Sequence, residues 1–341
     1  MPGPNLKSSE HYWINLYHFL ERRGYRLRPR YDPDYVPVYP HGKSWLRRNF
    51  YERPEDEIRS RLYANLLDAV RLSDGARVAL RKTETWRDEV AIYHYLASCE
   101  PDERNHVVPI LNMILLRDSD DCVFLVMPIL RDYYDPPFSR PIQAADAVQQ
   151  FLEILEFLHE RNIAHRDFCT YNLMMDSSEL LSGGFHFSAP SCTPDGSFGL
   201  IFRDRADVNP VKYFVIDLGL ATLLPSRDSK VTGIYGQDRT VPEHTWDSLY
   251  DPFKVDIYQL GRVILMDMVN VYDDLEFLRP LATAMSAEDP SQRPDASKAL
   301  AALKEATSEL PATSLEKPIH VVDLQFGYLL TRPPIPKGYC C

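Results

Sequence analysis

Apolar residues recur along this chain with two different periods, and the switches between them divide it into predicted helices and strands. Between residues 9 and 23, Tyr12, Trp13, Leu16, Tyr17, Phe19 and Leu20 fall mostly on one side of a helix, which predicts an amphipathic segment. Arg28-Pro29-Arg30-Tyr31-Asp32-Pro33, followed by Pro37 and Pro40, predicts an extended arm, because proline removes backbone donors and fixes its own φ. Residues 66–72 and 77–81 are apolar and β-branched around Ser73-Asp74-Gly75, the pattern of a hairpin. A helix follows, with Trp86, Glu89, Val90, Tyr93 and Ala97 on one stripe at spacings of three and four. Residues 123–127 read as a buried strand leading into Pro128-Ile129-Leu130.

The second half is predominantly helical in pattern. Val148, Phe151, Leu152, Leu155 and Leu158 form a continuous helical stripe, and residues 253–269 are apolar nearly all round, which suits a helix buried in the middle of a lobe. Residues 213–216 form a short apolar run of the kind found in buried strands. Between these lie residues 177–210, rich in Ser, Gly, Pro and Asp, which predict a surface insertion carrying a short hairpin. His186 and Cys192 in that stretch have no ligand spacing and read as ordinary loop residues.

Composition narrows the class. With 341 residues and 45% hydrophobic content, the chain has enough material for about two domains. Its net charge of −11 argues against a general nucleic-acid or anionic-membrane surface. The six cysteines, at 99, 122, 169, 192, 340 and 341, show neither metal spacing nor a dense disulfide framework, and no apolar signal segment follows Met1. An intracellular, reduced protein is expected, cytoplasmic or nuclear, with no transmembrane helix because no apolar run approaches about 18 residues. The terminal Cys340-Cys341 pair resembles prenylation sites of small GTPases, but that processing needs an escort recognising the GTPase body, so lipidation is not expected.

The chemistry concentrates in His165-Arg166-Asp167-Phe168-Cys169-Thr170-Tyr171-Asn172. An Asp on a short loop can accept the proton of an attacking hydroxyl, and an Asn five residues later can turn back to bind magnesium through its amide oxygen. Asp217-Leu218-Gly219 ends the apolar run at 213–216, and a carboxylate at a strand end followed by Gly can chelate a second metal position while the chain turns away. Val241-Pro242-Glu243, Asp256 and Ser291-Gln292-Arg293-Pro294 follow in order. This ordered set resembles the eukaryotic protein kinase C-terminal lobe over roughly residues 60 to 305, and among kinases is similar to divergent fungal kinase-like proteins with a long insert after the catalytic loop.

The resemblance implies an α+β, bilobal protein-kinase-like fold with a small β-rich N-lobe and a larger, mainly helical C-lobe. Residues 1–50 would be an N-terminal helix and extended arm, 51–130 the N-lobe, 131–310 the C-lobe with the 177–210 insertion, and 311–341 a tail. It implies Asp167 as base, Asn172 and Asp217 as magnesium ligands, Glu243 paired with Arg293, and Asp256 bracing the catalytic loop. Met127 would line the back of an adenine pocket, where the Pro128 carbonyl and Leu130 amide serve the base. His165 reads as a packed structural residue. Arg166 would pair with a phosphorylated activation segment, for which Ser226, Ser229, Thr232, Tyr235 and Thr240 are available.

The nucleotide side departs from the family pattern. Between Phe50 and Arg81 the only glycine is Gly75, in the hairpin turn, so no glycine-rich loop precedes the strand. In Val78-Ala79-Leu80-Arg81-Lys82 the family's lysine position holds Arg81, and Lys82 faces the other way by strand alternation. Arg81 can bridge Glu89 and phosphates through its planar fork. Cys169 stands where serine/threonine kinases carry a lysine touching the transferring phosphate, which blurs the acceptor class.

The sequence therefore predicts an ATP- and magnesium-dependent protein kinase acting on a protein hydroxyl, Ser/Thr favoured over Tyr. A nucleotide-binding pseudokinase or scaffold is the alternative raised by the missing glycines, Arg81 and Cys169. A small-molecule phosphotransferase of the aminoglycoside or choline type is disfavoured by Arg166, Glu243 and Arg293, which belong to the architecture that positions protein substrates.

Overall fold

Strand alternation and helical stripes together give a mixed α+β chain. The computed structural model describes residues 8–35, 58, 64–116, 119–208 and 210–322, so Pro37, Pro40, Cys340 and Cys341 lie outside the described residues. The chain divides into two compact units: residues up to 87 with 108–130 and 176–203, and residues 88–107 with 131–175 and 204 onward.

The first unit is built on a five-stranded antiparallel sheet in the order β1-β2-β3-β5-β4, with β1 at Tyr25–Leu27, β2 at Leu66–Arg71, β3 at Arg77–Glu84, β4 at Asn112–Leu116 and β5 at Ser119–Pro128. The β2–β3 hairpin turns at Gly75, whose φ of +75° is a conformation that only glycine adopts without cost. One sheet face, carrying Leu67, Ala69, Val78, Leu80, Phe124 and Val126, packs on helix α1 (Ser8–Arg22) through Trp13, Tyr17 and Leu20. The Trp13 indole donates to the Ala64 carbonyl at 3.0 Å, which anchors the helix to the chain entering β2.

The arm expected after α1 is different in kind. Residues 25–27 form the edge strand β1, paired to β2 with Tyr25 opposite Arg71, and Pro29–Tyr31 is a 3-10 turn with Tyr31 fully buried. Three alternating residues are too few to register as a strand in sequence. Among the described residues, the helix and the start of the arm group with the sheet. Residues 176–203 of the insertion also group with the sheet. Arg28 reaches His186 and Ser188, both at 3.2 Å, and Arg77 donates to the Phe185 carbonyl. The insertion carries the bridges His186–Ala189 and Cys192–Phe198, and His186 is buried to 1% exposure, so it is a packing residue of this unit.

The second unit is mainly helical. Helix α2 (Asp88–Ser98) buries Glu89, Ile92, Tyr93 and Leu96, so the stripe is rotated from the expected one: Trp86 precedes the helix and is 74% exposed, and Ala97 faces outward. Helix α3 (Pro141–Glu160) buries Val148, Phe151, Leu152, Leu155 and Leu158 completely. Short strands β6 (Arg131–Asp132), β7 (Ile163–Ala164), β8 (Leu173–Met175), β9 (Tyr213–Val215) and β10 (Thr222–Leu223) form two small sheets, β6-β8-β9 and β10-β7.

The apolar run at 253–269 is helix α4 (Pro252–Val263) continued by a π-helical turn at Ile264–Val269, where one uniform helix was expected. Asp251 caps α4 by accepting from Phe253 N at 3.0 Å, with Pro252 at the first turn where its missing N–H costs nothing. Helices α5 (Arg279–Met285), α6 (Ala296–Ser308) and α7 (Ala312–Leu315) complete the unit, and Ile319 N bonds the Ser139 carbonyl at 3.0 Å. Among the described residues no helix is long and apolar enough to cross a membrane.

Candidate active site

The loop from His165 to Asn172 follows β7 and is held from beneath by α4. Asp256, fully buried on that helix, accepts from His165 N at 2.9 Å and Arg166 N at 2.7 Å, while His159 Nε2 meets the same carboxylate at 2.9 Å. Gln259, one helical turn further on, accepts from Phe168 N at 2.8 Å. Two side chains spaced three apart on one helix face thus satisfy three loop amides, those of His165, Arg166 and Phe168, that no secondary structure serves. Arg166 sits at φ +65°, a left-handed conformation that costs a non-glycine residue about 1 kcal/mol, and its amide is the one Asp256 grips most closely.

His165 is buried, and its Nε2 lies 3.1 Å from the Ile216 carbonyl. A carbonyl only accepts, so Nε2 carries the proton and Nδ1 is left to accept Asp167 N at 3.3 Å. Its role is structural, tying the loop to the chain before Asp217.

Asp167, 7% exposed, receives three donors: Gln237 N at 2.7 Å, Asn172 Nδ2 at 3.0 Å and Gln237 Nε2 at 3.3 Å. Asn172 Nδ2 also donates to the Asp167 carbonyl at 2.8 Å. The amide nitrogen is therefore committed to Asp167, which turns the amide oxygen to the opposite side of the carboxamide. Leu173 pairs with Val215, and Ile216 N bonds the Asn172 carbonyl at 2.9 Å, so the β8–β9 ribbon brings Asn172 and Asp217 to the same end. Asp217 adopts φ +63° and accepts from Gly219 N at 3.2 Å, the turn that ends the strand.

Around this core, Arg166 Nη1 donates to Thr222 Oγ1 at 3.1 Å and its guanidinium lies 4.6 Å from the Tyr235 ring centre. Arg293, whose side chain is fully buried, makes a two-pronged pair with Glu243 at 2.5 and 2.8 Å. Cys169 is buried beside Asp167; burial first, and the neighbouring carboxylate second, push its thiol well above the usual range, so it stays protonated. A cavity of about 200 Å³ adjoins the loop, lined by Cys169, Thr170, Gln237, Asp238, Arg262 and Asp267 among others. Asp267 accepts from the Thr170 and Tyr133 hydroxyls, and burial raises its pKa to about 6.

In the first unit, Ala79 pairs with Met127 and Val78 with Pro128, and Met127 and Leu130 are each 8% exposed. Arg81 lies on the same face as Ala79 and Met127. Lys82 lies on the other face, its ammonium 4.6 Å from the centre of the Tyr12 ring on α1. Glu89 belongs to the second unit, buried at the start of α2. Asp68, opposite Ala79 in the register and so on the face of Arg81, is paired with Arg28 at 3.2 Å and Arg77 at 3.4 Å.

Sequence reading passed over Gln237, Gln259, Asp267 and Arg28. Only Gln259 left a usable signal, as an uncharged polar residue three places after Asp256 in a largely apolar helix.

The chain is 28% identical over 116 residues to a probable serine/threonine-protein kinase MRK1 homolog of Encephalitozoon cuniculi (strain GB-M1), a stretch covering 34% of this chain and 26% of that protein. It thus spans about a quarter of the length of the curated relative it matches. No protein-family model matches the chain. The likeness supports a kinase-like relationship, coarser than any assignment of substrate or site.

Proposed function

We propose that this protein is a divergent protein kinase with the bilobal kinase fold, transferring the γ-phosphate of ATP to a protein hydroxyl, Ser/Thr in preference to Tyr. The observation that carries the reading is the commitment of the Asn172 amide nitrogen to Asp167, with Asp217 at the same ribbon end. That arrangement brings an amide oxygen and a carboxylate to one ribbon end, hard ligands of the kind magnesium takes when phosphates and water complete its shell. Asn172 and Asp217 would hold the metal, which on binding supplies charge neutralisation to the phosphates. Asp167 accepts the proton of the attacking hydroxyl. Arg81, oriented by Glu89, contacts the phosphates, and Met127, the Pro128 carbonyl and the Leu130 amide receive the adenine.

The relative named a probable serine/threonine kinase supports the reaction class. The test is phosphoryl transfer from radiolabelled ATP to myelin basic protein by the purified chain and by Asp167→Asn. Transfer by the wild type that the variant loses supports the reading; equal transfer by both, or none by either, overturns it.

One observation favours a second reading, a pseudokinase. The sheet face carrying Arg81 and Met127 also carries the Asp68–Arg28 pair, with Arg28 in turn bonded to His186 and Ser188 of the insertion. Nucleotide-dependent stabilisation without phosphoryl transfer would select that reading.

A further inference from the structure

We propose that Gln237 is the positioning residue of the candidate base Asp167, an inference that rests on the kinase reading and names a further residue of its site. Gln237 supplies two of the three donors that Asp167 receives, its backbone N–H at 2.7 Å to Oδ1 and its side-chain amide at 3.3 Å to Oδ2. The third donor, Asn172, also approaches Oδ2. The carboxylate is thus held by N–H donors at both oxygens, with the Cys169 thiol as a weaker further contact.

The preceding residue makes this approach feasible. Gly236 lies at φ +83°, and a Cβ built on it would stand 2.8 Å from the Arg166 carbonyl oxygen and 3.0 Å from Asp167 Oδ1. Any side chain at 236 would push the segment off the catalytic loop and withdraw the Gln237 amide. Gly236-Gln237 therefore forms a contact only that pair can make, glycine for proximity and glutamine for its second donor. The position matters because Cys169, an un-ionised thiol, lies where a lysine would otherwise organise this part of the site, and a thiol is too weak a donor to fix a carboxylate. Gln237 also lines the cavity of about 200 Å³ beside the loop, so it stands between the base and the space through which an acceptor side chain would arrive.

Gln237 is itself exposed, so its replacement tests function without emptying the core. Steady-state transfer from ATP to myelin basic protein is measured for the wild type, Gln237→Ala and Gln237→Glu. Loss of one hydrogen bond to a charged group lowers kcat about tenfold in Gln237→Ala, with KM for ATP and the melting temperature unchanged. Gln237→Glu, of the same shape but repelling Asp167, loses more. Wild-type kcat in both variants overturns the inference, as does a change confined to KM for ATP.

A second arm does not depend on turnover. Deuterium uptake in the peptide spanning residues 235–241 is compared in the wild type and Asp167→Ala. Faster exchange in the variant supports the contact; identical uptake overturns it. Absence of transfer by the wild type overturns the kinase reading and the positioning role with it, while wild-type transfer with indifferent Gln237 variants sinks the positioning role alone.

Discussion

Asp256 is the residue whose change tests the site most directly. Its carboxylate is fully buried and accepts from two consecutive loop amides and from His159. Asp256→Asn preserves shape but leaves a single acceptor oxygen where both oxygens accept, and it turns an NH2 group toward a donor. One charge-assisted bond is lost and one N–H is left facing a donor, which together cost about 3 kcal/mol. At about 2–4 °C per kcal/mol for a unit of this size, the melting temperature falls by roughly 6–12 °C. Arg166 loses the grip that holds its left-handed backbone, so Asp167 moves, and a misplacement of about 1 Å costs on the order of a hundredfold in rate. Melting is followed by circular dichroism, and transfer to myelin basic protein is assayed well below the variant's transition. A melting temperature within about 2 °C of wild type would refute the energetic argument, and an unchanged kcat in a stably folded variant would refute the link from brace to base.

Three further outcomes follow from particular contacts. Glu243→Gln leaves the buried Arg293 guanidinium without its anion and should cost about 3 kcal/mol in urea unfolding, whereas Glu243→Leu combined with Arg293→Met should recover much of that loss. Because burial raises Asp267 from an unfolded value of 3.8 to about 6, its contribution to stability is full below the unfolded value and is lost as pH rises through the folded one. Asp267→Asn does not titrate, so its stability relative to wild type should rise by about 2 kcal/mol from pH 4 to pH 7 in parallel urea titrations, and a pH-independent difference would contradict this. Arg81→Met should reduce the thermal shift produced by MgATP while Lys82→Met, whose ammonium rests on Tyr12, should leave it intact; the opposite pattern would reverse their roles.

What could be read from the sequence depended on the range of the signal. The helix at 148–158 repeats its apolar positions over several turns and was legible, as was the hairpin around Gly75, whose turn chemistry is local. The edge strand Tyr25–Leu27 was not, since three residues hold too little alternation and its pairing partner lies beyond a long connection. The insertion's attachment to the sheet was hidden for a similar reason: it depends on Arg28 meeting His186 and Ser188, and no local pattern announces a contact across 158 residues of chain. At the site, Asp167, Asn172 and Asp217 stood out because the chemistry proposed for them requires fixed spacing. Gln237 did not, because a backbone amide donor has no signature in sequence and its enabling feature, a single glycine, resembles any loop glycine.

The departures from the kinase pattern have a common physical direction. Where bare glycine amides would approach phosphates, the first unit instead carries arginines on the sheet face of Arg81, and two of them, Arg28 and Arg77, are already paired with Asp68. Charge held by a buried carboxylate cannot also neutralise a triphosphate without the pair separating, and breaking such a pair leaves an uncompensated ion at a cost of about 3–5 kcal/mol. On the proposed reading, phosphate binding on that face rests on Arg81, placed there by its strand position, whose guanidinium attracts phosphate by charge and so is more sensitive to salt than a cradle of fixed amides. The base, by contrast, is held by backbone and side-chain amides whose geometry does not depend on ionic strength. Salt should then weaken nucleotide affinity while leaving turnover at saturating ATP largely intact, a separation that a kinase relying on a glycine-rich loop has less reason to show.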